Sequence, residues 1–188
     1  TVVFLVSNFF TGTKDQLAAL ITLEPLVKSS LVRQNGRQAV VAQIYSTFPF
    51  NHKNLLTLNA GSDDGVVVGA PVTLDGNILL GQIVEVSSGQ SVARTIFDRE
   101  WSLSARIGSN YVDALLIGGQ NPRLTLIDKD DEILEGEIIF SAQKDFPYGL
   151  KIGTVKSVRD LVANSFKEAG IDLPYNIKSL REVAIVIK

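Results

Sequence analysis

The chain has 188 residues, 45% of them hydrophobic and 20% charged, with 18 Lys and Arg against 20 Asp and Glu. That composition excludes a disordered polypeptide, and a net charge of -2 lacks the concentrated basic face that nucleic-acid binding requires. With no Cys and one His, His52, the chain has no disulfide, thiol nucleophile, cysteine-held zinc or multi-histidine metal site. It also has no Met, which reads as a processed chain or a fragment.

The first ten residues, Thr1 to Phe10, are strongly apolar but too few to cross a bilayer, which takes about 20. They fit either the outer end of a membrane helix or a buried strand. Residues 14–35 have helical spacing, with Thr13 as cap, Asp15 in the first turn, and Leu17, Leu20, Ile21, Val27 and Leu31 recurring. Pro25 should kink this helix and Gly36 should end it.

From residue 39 the texture changes to short apolar runs separated by turn residues. Strands are predicted at 39–46, 55–59, 71–74, 78–86, 92–97, 102–108, 113–117, 123–127, 137–141, 152–158 and 182–187. Leu103, Ala105 and Ile107 alternate with Ser102, Ser104 and Arg106, and Val183, Ile185 and Ile187 follow the same period, the mark of a half-buried sheet. Asp75-Gly76 signals a type I′ hairpin, and Gly81 a bulge or sharp bend in the next strand. Residues 160–169 read as a second helix, with Asp160 as cap, Leu161, Val162, Phe166 and Ala169 on one side, and Gly170 as stop.

So many short strands exceed one small closed barrel. The predicted architecture is mainly β: two six-stranded-type barrels after an N-terminal helix. The expected divisions are 1–10 (anchor end or apolar strand), 11–38 (helical), 39–98 (first barrel) and 99–188 (second barrel), with a terminal strand able to cross back to the first.

No catalytic constellation emerges. His52 lies in the polar segment Phe50-Asn51-His52-Lys53-Asn54, and no G-x-S-x-G is present; in Gly61-Ser62-Asp63-Asp64-Gly65 the serine directly follows the glycine. Ser141-Ala142-Gln143-Lys144 matches S-x-x-K, but Ser141 closes a predicted strand and the companion motifs of that chemistry are missing. Asp128-Lys129-Asp130-Asp131-Glu132 lacks the glycine and distal glutamate of a calcium loop and reads as a solvated turn. No cofactor or metal is expected.

The specific signal is a glycine pattern. Asn59-Ala60-Gly61-Ser62-Asp63-Asp64-Gly65-Val66-Val67-Val68-Gly69-Ala70-Pro71-Val72 resembles the N-x-G-x-x-x-G-V-x-x-G-x-x-V segment of MreC, the bacterial rod-shape-determining family. The likeness continues through Gly81 to Val86 and Val92 to Ile107. It returns at Phe146-Pro147-Tyr148-Gly149-Leu150-Lys151-Ile152-Gly153-Thr154-Val155 and in the closing strand Leu180 to Ile187. Gly136-Glu137, Ser141-Ala142 and Gln143-Lys144-Asp145 depart from the family pattern, and Pro25 interrupts the stretch where the family has a coiled coil.

What the resemblance implies is a non-enzymatic scaffold of the cell-wall elongation machinery. It would be held by a single-pass N-terminal anchor, with its main domain on the extracytoplasmic, periplasmic side of the bacterial cytoplasmic membrane. The implied partners are other copies of itself, an MreD-like membrane protein, a class B penicillin-binding transpeptidase and, indirectly, the MreB filament. Asn59, Gly61, Gly65, Gly69, Gly81, Pro147, Gly149 and Gly153 would be motif residues shaping the backbone. Two aromatic loops, Tyr45 with Phe48, Pro49 and Phe50, and Phe146 with Pro147 and Tyr148, are candidate partner contacts or plugs of the barrel ends. The rival readings are a periplasmic adaptor of an export system, a serine-protease-like barrel and, with only Trp101 and 4 Tyr for stacking, a sugar-binding barrel.

Overall fold

The computed structural model describes residues 30–34, 37–46, 54–160 and 163–187. Within them run thirteen strands: β1 (Ser30–Gln34), β2 (Arg37–Ser46), β3 (Leu55–Leu58), β4 (Pro71–Leu74), β5 (Ile78–Val86), β6 (Ser91–Thr95), β7 (Ser102–Ile107), β8 (Val112–Ile117), β9 (Arg123–Ile127), β10 (Ile138–Ser141), β11 (Lys151–Arg159), β12 (Lys167–Asp172) and β13 (Glu182–Val186). The helical content of the described residues is two single 3-10 turns, Ser62–Asp64 and Ile177–Ser179. The fold is mainly β, as the composition and periodicity imply, and the strands expected from residue 39 onward stand within about two residues of their predicted bounds.

Strand pairing closes twice. β5, β4, β13, β2, β3 and β6 pair in that order, and β6 returns to β5. β7, β8, β9, β12 and β11 pair in order, and β10 bridges β11 back to β7. Each six-membered ring encloses one apolar cluster. The first holds Val40, Leu56, Leu58, Val72, Leu80 and Ile185 among others, and the second holds Trp101, Leu103, Ile107, Leu116, Leu124 and Ile152 among others. Closure leaves no ring strand with a bare edge, which is how small antiparallel sheets avoid templating aggregation.

Two elements correct the sequence reading. The helix expected to end at 35 is, over its described part, the strand β1, antiparallel to β2 from Ser30↔Val41 to Gln34↔Arg37; Leu31, placed on the helix's apolar side, is 64% exposed. The rest of that helix and the apolar segment Thr1 to Phe10 lie outside the described residues. The second helix is replaced from residue 167 by β12, which fills the place between β9 and β11 that closure of the ring demands. Its supposed cap Asp160 instead pairs with Lys129 at 3.4 Å, and its supposed stop Gly170 lies mid-strand against the Ser157 side chain. Leu161 and Val162 lie outside the described residues; Phe166 and Ala169 are spaced for a helix, but the tertiary ring overrides that local pattern.

β7 has the expected alternation, with Leu103, Ala105 and Ile107 inside and the residues between them exposed. β13 does not. Ala184 and Val186 are as buried as Val183 and Ile185, so this strand is covered on both faces. The β4–β5 turn has positive φ at both Asp75 (49°) and Gly76 (67°), and the Asn77 amide donates to the Leu74 carbonyl at 3.0 Å, the type I′ geometry expected.

β5 joins the rings. The pairing steps from Val72↔Gly81 to Thr73↔Leu79, leaving Leu80 as the extra residue of a bulge. Successive side chains point to opposite faces, and here Leu79 enters the second cluster while Leu80 enters the first. At Gly81 the backbone of β6 comes so close that a Cβ would collide with the Arg94 carbonyl oxygen. Around this strand the Lys151 amide donates to the Asn77 carbonyl at 2.9 Å and the Tyr175 hydroxyl reaches the Leu79 carbonyl at 3.4 Å. Arg37 spans the joint, donating from Nη1 to the Gly76 carbonyl at 3.0 Å and from Nη2 to the Tyr148 carbonyl at 2.7 Å.

Candidate docking surface

Two glycine-bearing segments, far apart in sequence, meet beside this joint. The first starts at Asn59, whose Oδ1 accepts from the Gln43 amide at 2.6 Å while its own amide donates to the Gln43 carbonyl at 3.1 Å. Gly61 follows where a Cβ would run into the carbonyl oxygens of Ser87 and Ser88; its amide donates to Asp64 Oδ2 at 3.0 Å, and Gly65 closes the short 3-10 turn. Gly69 has φ of 90°, a conformation open to glycine, and its amide donates to the Ile83 carbonyl at 2.9 Å. Pinned at both ends, the intervening chain holds Val67 and Val68 out to solvent at 57% and 64% exposure.

The second segment is the β10–β11 loop. The Phe146 amide donates to the Gln143 carbonyl at 3.1 Å, and the Phe146 ring belongs to the second apolar cluster at 8% exposure. Its ring is thus part of that barrel's packing. Tyr148, two residues on, is 77% exposed, and Pro147 between them is half-buried. Gly149 ends the loop with φ of 77°, and Gly153 lies within β11, packed against the Asp172 backbone.

Between the two segments lies a groove of about 510 Å³ lined by Val67, Val68, Pro71, Pro147, Val186 and Ile187 among others. On the other side of the loop is a cavity of about 270 Å³ lined by Arg106, Tyr111, Phe140, Ser141, Lys144 and Tyr148 among others. Lys144 and Phe146 border both recesses. The Tyr148 phenol is held above its usual titration range, first by its hydrogen bond to the Tyr111 hydroxyl, then by that group's charge and slight burial, with Arg106 opposing. Arg106 Nε is itself 3.1 Å from Asp113 Oδ1 across β7 and β8.

The geometry thus brings together Gly69, Phe146, Pro147 and Tyr148. Tyr45, 61% exposed on β2, lines neither recess, and Phe48, Pro49, Phe50 and His52 lie outside the described residues. Ser141 ends β10, its Oγ accepting from the Gln143 amide at 3.3 Å, and Lys144 is in the following turn rather than one helical turn away. Among the described residues no cluster of side chains could hold a metal ion, and no helix is long and apolar enough to cross a membrane. Val67, Val68, Tyr111 and Arg37 were not legible as surface-forming residues. The two valines read only as apolar positions within a glycine motif, and the other two act through partners more than thirty residues away in sequence.

Comparison with known proteins bears on this surface. Residues 44–187 match the family model for the rod shape-determining protein MreC, barrel core. A crystal structure of MreC from Pseudomonas aeruginosa is similar at 26% identity and TM-score 0.68, covering 79% of this chain and 99% of that one. A further solved MreC is similar at 23% identity and TM-score 0.70, covering 94% and 98%. A complex between penicillin-binding protein PBP2 and MreC from Helicobacter pylori contains a chain similar at 16% identity and TM-score 0.60, covering 80% and 99%. No curated protein matches in sequence.

Proposed function

This chain belongs to the MreC family of rod shape-determining proteins, and from that premise we propose that it is a non-enzymatic scaffold of the cell-wall elongation machinery. It works by holding shaped β surfaces toward other proteins. The single observation that supports this most is the groove at the ring joint. Two exposed valines stand there beside Pro71, Pro147 and Ile187, apolar side chains that a folded monomer has no reason to display together.

The partner proposed for that face is a class B penicillin-binding transpeptidase, by analogy with the Helicobacter pylori complex of PBP2 and MreC. Tyr45 and the segment Phe48 to Phe50 are proposed as a separate contact, together with self-association, an MreD-like membrane protein and an indirect link to the MreB filament. The remaining parts of the reading are an N-terminal anchor and a periplasmic position for the barrels, in line with a solved relative described as the major periplasmic domain of MreC. Each ring is proposed to be a domain, with the division near Asp98 to Trp101 and β13 contributed back to the first.

Immobilised transpeptidase ectodomain tests the docking face. Replacing Val67 and Val68 together with Asp is expected to weaken binding at least about tenfold, because two apolar anchors become charged. The circular dichroism spectrum should stay unchanged, since both side chains are exposed. Unaltered affinity in a folded double variant would overturn the assignment of this groove. A fluorophosphonate probe is expected to leave every serine unlabelled, and labelling that depends on His52 would overturn the scaffold reading itself.

A further inference from the structure

The smaller cavity, on the far side of the β10–β11 loop, has a chemistry that protein docking on the groove does not use. We propose that it binds the C-terminal carboxylate of a peptide ending in an apolar residue. Three features carry this. Its walls are aromatic, with Phe140, Tyr111 and Tyr148, while its polar lining includes Arg106, Lys144 and Ser141 and no Asp or Glu. Arg106 is occupied by Asp113, but the Lys144 ammonium has no hydrogen bond or ion pair among the described residues. Ser141, 7% exposed, accepts from the Gln143 amide, and its own proton has no acceptor among the described residues. An unpaired cation beside a free hydroxyl donor is matched by a carboxylate, which accepts only and takes charge-assisted hydrogen bonds.

The size of the site selects a chain end. At about 270 Å³ it is smaller than pockets that enclose a drug-sized ligand, and a chain end brings a carboxylate and an apolar side chain on one residue, where an internal segment needs two. A terminal carboxylate with one apolar side chain satisfies both the cation and the aromatic walls. The walls are also set in advance. Tyr111 has φ of 55°, a left-handed conformation uncommon outside glycine, and its turn holds its hydroxyl in a hydrogen bond with that of Tyr148. The S-x-x-K match, empty of catalytic meaning, thereby places a hydroxyl and an ammonium at one anion site.

The test uses the full chain and two probes, the tripeptide acetyl-Ala-Leu-Phe as free acid and as C-terminal amide, followed by amide chemical shifts. The acid is expected to shift Ser141, Gln143 and Gly149 and to bind about tenfold more tightly than the amide, the scale of one charge-assisted hydrogen bond. Lys144→Gln should bring acid and amide to the same affinity, and Tyr148→Ala should weaken both. Equal binding of acid and amide to the unaltered chain, no shifts at these residues, or acid binding that survives Lys144→Gln would each overturn the proposal. Since Lys144 and Tyr148 are exposed, their variants keep the fold, which the unperturbed remainder of the spectrum verifies.

Discussion

The two rings have the same number of strands and fill their interiors with different side chains. The first is packed with aliphatic and small side chains, Ala42, Ala60, Ala70 and Ala93 beside Leu56, Leu58 and Leu80, and among the described residues its one aromatic neighbour is the half-buried Tyr175. The backbones come together to close the space, so that Gly61 and Gly81 stand where any Cβ would meet a carbonyl oxygen. The second ring has such an approach too, Gly153 against the Asp172 carbonyl, but fills its interior with bulk: Trp101 at 6% exposure and Phe146 at 8% are part of its core. A small barrel can be dense either by narrowing its wall or by enlarging its contents, and one chain uses both.

That contrast can be broken from either side. The largest effect is expected for Trp101→Ala, which should cost about 3–5 kcal/mol in urea denaturation, as for aromatic truncation in a closed core. Hydrogen exchange should accelerate in β7 to β12 while β2 to β6 stay protected; uniform loss of protection would show that the rings unfold as one unit. Next comes Gly81→Ala, a change that adds volume. It is expected to destabilise by about 1–3 kcal/mol, with the damage centred on β5 and β6 where the Arg94 backbone must move. A neutral Gly81→Ala would mean that the first ring is not closed by backbone approach.

The smallest effect concerns the joint and appears only at alkaline pH. Tyr175 packs against the first cluster, and burial raises its phenol above the usual value. A group with a raised folded-state pKa contributes stability that is complete below its unfolded value of about 10 and is lost as pH rises beyond it. Tyr175→Phe should therefore change stability by less than about 1 kcal/mol at pH 7. It should also flatten the alkaline decline above about pH 10 that the unaltered chain shows in thermal melts. An identical alkaline decline in both would exclude Tyr175 as its source.

Most of the strand ladder was legible because each strand is short, apolar and bounded by turn chemistry. Asp75-Gly76 announces its hairpin, and β7 shows its two faces residue by residue. The failures have a common origin. Around β12, Phe166 just before the strand and Ala169 within it are spaced for a helix, and only the vacancy between β9 and β11 overrides that pattern. In β13, Ala184 and Val186 are apolar on the supposedly solvated face, and Val186 lines the groove opposite the β10–β11 loop. Of the candidate contacts, Tyr148 is open to solvent while Phe146 is packed in the core, a difference set by a two-residue step along one loop. Nothing local distinguishes the two rings.

What the amino-acid order determined alone is the β class, the bounds of most strands, the glycine turns and the family, because these depend on neighbours within a few residues. What only the tertiary structure decided is which strands share a ring, where β1 and β12 belong, and which side chains meet at the joint. Arg37 bonds to Gly76 and Tyr148, and Lys144 stands beside Tyr111, across separations that no local period encodes. Ring closure is a property of the whole chain: each strand's partner is selected by the edges the others leave unpaired.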